Sequence, residues 1–502
     1  MKRRKSLTLL AISSLFFNAC QNNIINSPIE NNNEQINANA VVDARDIKEL
    51  KNLKSTISNS DSGIVVATLS GGEIYDGEKV NKPLKQKLYF DFQDVTNSSE
   101  IEFGVKDETQ LKDKRHGKTP QQISKEKSKV KKAFKLGRVT KSKVSNSSVF
   151  LGATRDFNVL VADNKIDKRK AILHKISKTA LFWLDKNVEG KIDEVALAKS
   201  IKYWEEKAFP IVTSKFGNAP MPPNDIDGEP KINLFLTPLE EGLYGYFYSA
   251  DVIPEDSPES NKADMLYINS NIFDPNNPNE NNANSTLIHE FQHMVNFNNK
   301  VTQRINNKKE PIYEDAWLDE GMSTYAEQLG GYGLPYNDEF SAAYLNKYFK
   351  NPSNIQIVTN GDINYGTSLL FVLYLVEQYG VDVLKKLTTS NKFGIENVEL
   401  ITGKPFKDTF NDWATALLLS GSKKYTKYDF KSVNLHKAYG KYVLDGINLN
   451  NIVNKYPQKV GFNMYNWTAN YIKLDNLSRN DLNMNIKHNG KGSLTTTFVK
   501  LK

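Results

Sequence analysis

The chain has 502 residues, of which 39% are hydrophobic and 25% charged, with a formal net charge of +8. That length allows more than one domain and a sizeable core. Much of the positive excess sits in a Lys-rich stretch from Lys106 to Lys143, an exposed segment rather than a basic binding face. No helix-turn-helix, zinc-knuckle or aromatic-basic pattern points to nucleic acid, and one cysteine, Cys20, excludes an internal disulfide framework.

Lys2-Arg3-Arg4-Lys5 and the apolar Leu7 to Phe17 read as the two parts of an export signal over 1–19, too short for a bilayer-spanning helix. Phe17-Asn18-Ala19-Cys20 resembles a bacterial lipobox, with Phe17 where Leu is usual. The resemblance implies cleavage before Cys20 and acylation of its thiol. The mature lipoprotein is then held on the bacterial cell envelope, facing outward, with that lipid as its anchor and nearby basic residues as a further help. The alternative is an ordinary secretory signal cut near Ala19, which leaves the protein secreted.

Residues 20–60 are Asn- and Ser-rich without a sustained period and read as a disordered tether. Over 61–105, Ile64-Val65-Val66-Ala67-Thr68 and Lys87-Leu88-Tyr89-Phe90-Asp91-Phe92 predict a small β module. A Lys-rich linker fills 106–150, with a solvated face or a polybasic membrane contact as its two readings. The main domain spans 151–425. Strands are predicted at Phe157–Ala162, Thr179–Leu184, Lys231–Leu236 and Asp264–Asn269, the fourth as an edge strand able to pair with an extended peptide. Leu197, Ile201, Trp204 and Ala208 place a long amphipathic helix over Val195–Phe216, and further helices are expected at Ser368–Tyr379 and Phe406–Leu418. Strand patterning returns in a C-terminal β domain over 426–502.

Chemistry concentrates in His289-Glu290-Phe291-Gln292-His293. Apolar Leu287, Ile288, Phe291, Met294 and Val295 make the segment helical, with Asn284 or Ser285 as N-cap. Residues i and i+4 on a helix stand about 5–6 Å apart at Cβ. His289 and His293 can therefore converge on one tetrahedral zinc ion. Glu290 then faces a zinc-bound water as general base, the arrangement of H-E-x-x-H metallopeptidases.

The third ligand must come from elsewhere. Asn298 stands five residues past His293, and no histidine follows before His436, which excludes the metzincin pattern. Trp317-Leu318-Asp319-Glu320-Gly321-Met322-Ser323-Thr324-Tyr325-Ala326-Glu327 closely resembles the W-L-x-E-G-x-x-x-Y-x-E helix of the gluzincins, whose first Glu binds zinc. The resemblance implies Glu320 as third ligand, with Glu327 in reserve or as its support. Together with Tyr365-Gly366-Thr367-Ser368-Leu369 and Leu234-Phe235-Leu236, these helices resemble the hyicolysin family of secreted bacterial metallopeptidases over roughly 150–420.

That resemblance implies an α+β fold with a zincin-type catalytic domain: a mixed sheet, an active-site helix and a mainly helical second lobe, here with flanking β modules. It implies a zinc-dependent endopeptidase acting on extracellular proteins or peptides. The chain shows no G-x-M-E-N stretch of the kind that grips a free amino terminus in related aminopeptidases. Tyr365 is the candidate donor to the oxyanion, since related enzymes carry a Tyr before a Gly at this helix start; a packing role is its other reading. The polar stretch Asn298–Lys309 reads as a lid or as decoration. The competing function is a surface-exposed adhesin lipoprotein that keeps a peptidase fold.

Overall fold

In the computed structural model the described residues are 149–501, except 163–164, 222–224, 254–258, 423, 445, 455–458, 477–483 and 489–491, together with 38–44, 62–71, 86–92, 100–103 and two single positions. They belong to one compact unit, Gln35–Lys502. The export signal, Cys20 and nearly all of the Lys-rich linker lie outside the described residues.

The strands in chain order are β1 (Ala38–Ala44), β2 (Ser62–Ser70), β3 (Gln86–Phe92), β4 (Glu100–Phe103), β5 (Thr154–Ala162), β6 (Lys165–Ile176), β7 (Ala180–Asp185), β8 (Ile232–Thr237), β9 (Gly245–Phe247) and β10 (Met265–Asn269). They continue as β11 (Ala438–Tyr439), β12 (Tyr442–Val443), β13 (Asn451–Val453), β14 (Lys459–Met464), β15 (Thr468–Asp475), β16 (Met484–His488) and β17 (Ser493–Leu501). The central sheet has the order β5-β6-β7-β8-β10-β9. β7, β8 and β10 run parallel, and β9 closes the edge antiparallel to β10. Side chains alternate along β8: Ile232, Leu234 and Leu236 face the helices, whereas Phe235 joins Phe157, Trp183 and Tyr267 on the other face.

The edge therefore differs from expectation. β10, within the predicted Asp264–Asn269 strand, is interior, and the three-residue β9 takes the edge because it follows β8 in the chain but pairs outside β10.

Helices α1 (Glu194–Tyr203) and α2 (Phe209–Lys215) are joined by a π-helical turn, Trp204–Ala208, and form the predicted long helix. Asp193 caps α1 by accepting from the N–H groups of Val195 and Ala196. Next comes α3 (Glu280–Phe297), which starts earlier than predicted because Asn279 accepts from Asn282 N–H at 3.1 Å. It runs on through a π-helical turn, Asn298–Thr302, into α4 (Gln303–Asn306), so the polar stretch begins as helix and buries Asn298, Lys300 and Thr302. The remaining helices are α5 (Ala316–Gly330), α6 (Glu339–Lys350), α7 (Tyr365–Tyr379), α8 (Val383–Thr389), α9 (Gly394–Thr402) and α10 (Phe406–Leu419). A Cβ at Gly321 would stand 2.7 Å from Ser368 carbonyl oxygen, so glycine is what lets α5 lie against α7. The result is α+β, with a mixed sheet and a mainly helical lobe.

The two ends of the chain share a sandwich. One sheet has the order β1-β17-β2-β15-β13, the other β16-β3-β14-β4, so strands from 61–105 alternate with strands from 426–502 instead of forming two modules. β1 lies inside the segment read as a tether; it pairs with β17, and main-chain hydrogen bonds at a sheet edge need little apolar patterning. Val65, Ala67 and Leu69 point between the sheets, whereas Ile64 and Val66 join the main core. Asn411 of α10 docks this sheet, donating to Thr68 Oγ1 at 3.1 Å and accepting from Thr497 Oγ1 at 2.5 Å.

Candidate metal centre

α3 and α5 bring His289, His293 and Glu320 together, with one ligand atom from each within 4.8 Å of the other two. His289 Nε2 lies 3.2 Å from His293 Nε2 and 3.2 Å from Glu320 Oε2, and the third side, His293 Nε2 to Glu320 Oε2, is 3.5 Å. For bonds of about 2.0–2.1 Å, a tetrahedral zinc ion needs ligand atoms about 3.3–3.4 Å apart. The triangle matches that spacing, and its nitrogen and oxygen donors suit zinc.

Both imidazoles are oriented from behind. Glu327 Oε1 lies 2.7 Å from His289 Nδ1, which leaves Nε2 to point into the triangle. Glu327 thus stands behind His289, two turns along α5 from Glu320. His293 Nδ1 is met by Asp319 Oδ2 at 3.1 Å and by Ser323 Oγ at 3.1 Å. Asp319 is held in turn by the Asn296 side-chain amide at 2.6 Å, and Ser323 by Gln292.

The local field favours positive charge. Burial works against an imidazolium at His289, but Glu320 and Glu327 outweigh it and push the group up to about 9. His293 is raised likewise, burial being overcome by Asp319 and Glu320. Burial alone would raise Glu320, yet the two histidines hold it well below the ordinary carboxylate range. A field that favours a proton on imidazole favours a dication at the same nitrogens.

Glu290 is 3% exposed, and its Oε2 accepts the Phe247 main-chain N–H at 2.8 Å. The edge strand β9 therefore touches the candidate base directly. Its close approach to α3 depends on Gly245, where a Cβ would stand 2.6 Å from both the Thr286 side chain and the Tyr267 carbonyl. Tyr365 opens α7, and its ring packs against Phe340 and Tyr344 with centroids 5.4 and 5.6 Å away.

Sequence reasoning did not reach Asp319, Ser323 or Phe247. A signal existed for Asp319: it precedes Glu320 on the same helix, as His293 lies one turn beyond His289. None existed for Phe247, whose role is carried by its main chain.

The approach of α5 is fixed by a buried ion pair. Lys300, just past α3, lies 2.8 Å from Glu314, just before α5, and both side chains are 1% exposed. Lys300 also donates to Lys392 carbonyl oxygen, and Glu314 accepts from Asn397 at 3.0 Å.

No protein-family model matches the chain. Over 270 residues, 48% of this chain, it is 31% identical to the neutral metalloprotease ShpI of Staphylococcus hyicus. The match covers 55% of that protein, so the chain spans about half the length of this relative, of which it is a distant homologue. Among solved structures, the M1 zinc metallopeptidase from Deinococcus radiodurans matches at 14% identity over 55% of this chain and 50% of that one, with a TM-score of 0.25.

Proposed function

We propose that the chain is a zinc-dependent endopeptidase that hydrolyses peptide bonds of extracellular proteins, with His289, His293 and Glu320 as metal ligands and Glu290 as general base. The observation that carries this reading is the triangle of ligand atoms, its sides of 3.2, 3.2 and 3.5 Å fitting a tetrahedral ion. Kinship with a neutral metalloprotease supports it independently.

A bound zinc ion would supply Lewis acidity, polarising a carbonyl and making water a nucleophile near neutral pH. The chain's own groups do the rest. Glu290, its Oε2 fixed by Phe247 N–H, takes the proton of the attacking water and returns it to the leaving amine. Glu327 and Asp319 keep the two imidazoles turned so that each Nε2 faces inward. As the outermost strand of the sheet among the described residues, β9 would offer main-chain groups to an extended peptide and so place the scissile bond beside Glu290. In this reading Tyr365 donates to the developing oxyanion, and Cys20 carries the lipid that keeps the enzyme on the outer face of the cell.

The deciding experiment is a peptide-library digest by purified protein with its zinc content measured in parallel. Wild type should carry one zinc and cleave internal bonds, and chelator should stop it. Glu290→Gln should keep the metal and lose at least about a hundredfold in kcat, the typical reach of a general base. Cleavage undiminished in Glu290→Gln would remove it from the chemistry. Palmitate labelling of wild type but not of Cys20→Ser tests the anchor.

A further inference from the structure

β9 is only three residues long, yet it presents the N–H that Glu290 accepts. Asn269 N–H donates to Tyr244 carbonyl oxygen at 2.8 Å, one place beyond the Ile268–Gly245 pair of the register. Opposed residues of an antiparallel pair alternate between hydrogen-bonded and non-bonded. Tyr246 and Tyr267, two places on, are therefore a bonded pair, and Phe247, opposite Leu266, turns its N–H away from β10. On that side stands Glu290 Oε2, at 2.8 Å. So short a ladder holds an N–H in place only with help from side chains.

The side chains of β9 supply it on both faces. Phe247 enters the core under the helices, its ring centroid 5.7 Å from that of Phe297 at the end of α3. Tyr246 is 7% exposed on the other face and stacks on Tyr267, with centroids 4.3 Å apart and ring planes at 15°. Its Oη accepts the main-chain N–H of Leu160 at 2.9 Å. Leu160 belongs to β5, at the opposite end of the sheet order, so the β5–β6 hairpin reaches back over the far face to the active-site edge. A second tie runs beside the first. Asn261, between β9 and β10, accepts Asn158 N–H at 2.7 Å and donates to Asn158 carbonyl oxygen at 2.8 Å and to Tyr267 Oη at 2.6 Å.

We propose that Tyr246 is a positioning residue for Glu290, an assignment that rests on Glu290 being the general base. Through Leu160 it anchors β9 to the β5–β6 hairpin, and so keeps Phe247 N–H where it holds one oxygen of the carboxylate. Tyr246 touches neither the ligand triangle nor Glu290; it acts through the strand.

Full-length zinc-loaded protein tests this with two readouts. Tyr246→Phe keeps the ring stack and takes the acceptor from Leu160 N–H. Hydrogen exchange over 244–248, read by mass spectrometry, should quicken about tenfold, with exchange across α3 and α5 and the zinc Kd unchanged. On a peptide that wild type cleaves, kcat should fall about tenfold, less than on removing Glu290. Added to Glu290→Gln, the same substitution should cost less than about twofold, because a residue acting through the base has nothing left to act on. Leu160→Pro removes the same bond from the donor side, on an outer strand whose N–H here serves Tyr246, and should reproduce both effects. It carries the test if Tyr246→Phe does not fold.

Trp183→Phe deletes another buried hydrogen bond below the same sheet face, the 2.9 Å indole N–H to Asn233, and should leave exchange over 244–248 as in wild type. Quickened exchange there as well would mean general loosening and overturn the proposal. Unchanged exchange over 244–248 in Tyr246→Phe overturns it too, as does an equal fall in kcat with and without Glu290. Zinc-loaded wild type that cleaves no peptide would instead remove Glu290 as a base, while the exchange data still decide whether Tyr246 holds β9.

Discussion

Asp319 Oδ2 lies 3.1 Å from Nδ1 of His293, while Glu320, the next residue of α5, brings Oε2 to 3.5 Å from Nε2 of the same ring. Adjacent residues of one helix thus address both nitrogens of one imidazole. In the proposed site one would fix the tautomer and orientation, and the other would share the ion with the ring.

Removing that orienting carboxylate should loosen the metal without abolishing the site. Asp319→Ala is expected to weaken zinc binding by about 10–100-fold, the usual effect of losing a partner behind a ligating histidine. Ser323, also at 3.1 Å from Nδ1, keeps the loss from being total. Competition against a chromophoric chelator measures it, and an unchanged Kd would deny Asp319 this role.

Glu320 and Glu327 should separate cleanly. Glu320→Gln replaces a charged ligand by a weak one and should empty the site at micromolar zinc. Glu327→Gln keeps an acceptor for His289 Nδ1–H and should retain zinc with reduced affinity. Metal analysis after dialysis decides the matter; the reverse outcome would exchange the two assignments.

The pH dependence of the metal-free protein has a definite sign. His289 rises from 6.5 to about 9 on folding, so its contribution to stability is complete below pH 6.5 and is lost as pH climbs through about 9. Zinc requires the unprotonated nitrogen, so its affinity moves the other way over the same window. Melting scans should show the zinc-dependent increment growing from pH 6.5 to 9. An increment that shrinks over that range would contradict the protonation scheme.

Lys300 and Glu314 are a buried pair whose separation leaves one charge without its partner. Lys300→Met should cost about 3–5 kcal/mol, and adding Glu314→Gln should recover part of it. Denaturant unfolding reads both. A single exchange costing under about 1 kcal/mol would mean that water reaches Glu314 and that the pair is not a clasp.

The zinc triangle was legible because helical spacing is local: residues four apart must share a face, whatever the rest of the chain does. Glu320, the third corner of the triangle, was legible only through the likeness of the Trp317–Glu327 segment to a known helix. Edge and interior were not legible. β10 is buried at every position, and whether another strand lies outside it depends on a three-residue segment whose Gly-Tyr-Phe reads equally as a turn. The shared sandwich was hidden for a different reason. Val65 and Phe498 are each apolar in an alternating strand, but nothing nearby in sequence says that they face one another across more than 400 residues.

That last pairing has a consequence for how the protein comes to exist. β2 sits between β15 and β17, so on a ribosome or at an export channel it emerges early and waits for nearly the whole chain before its neighbours appear. Until then Ile64-Val65-Val66-Ala67 is a sticky strand with two open edges, of the kind that chaperones hold. Truncation at the last strand should accordingly yield insoluble chains rather than a smaller enzyme, and a protease that nicks the linker should leave both fragments associated.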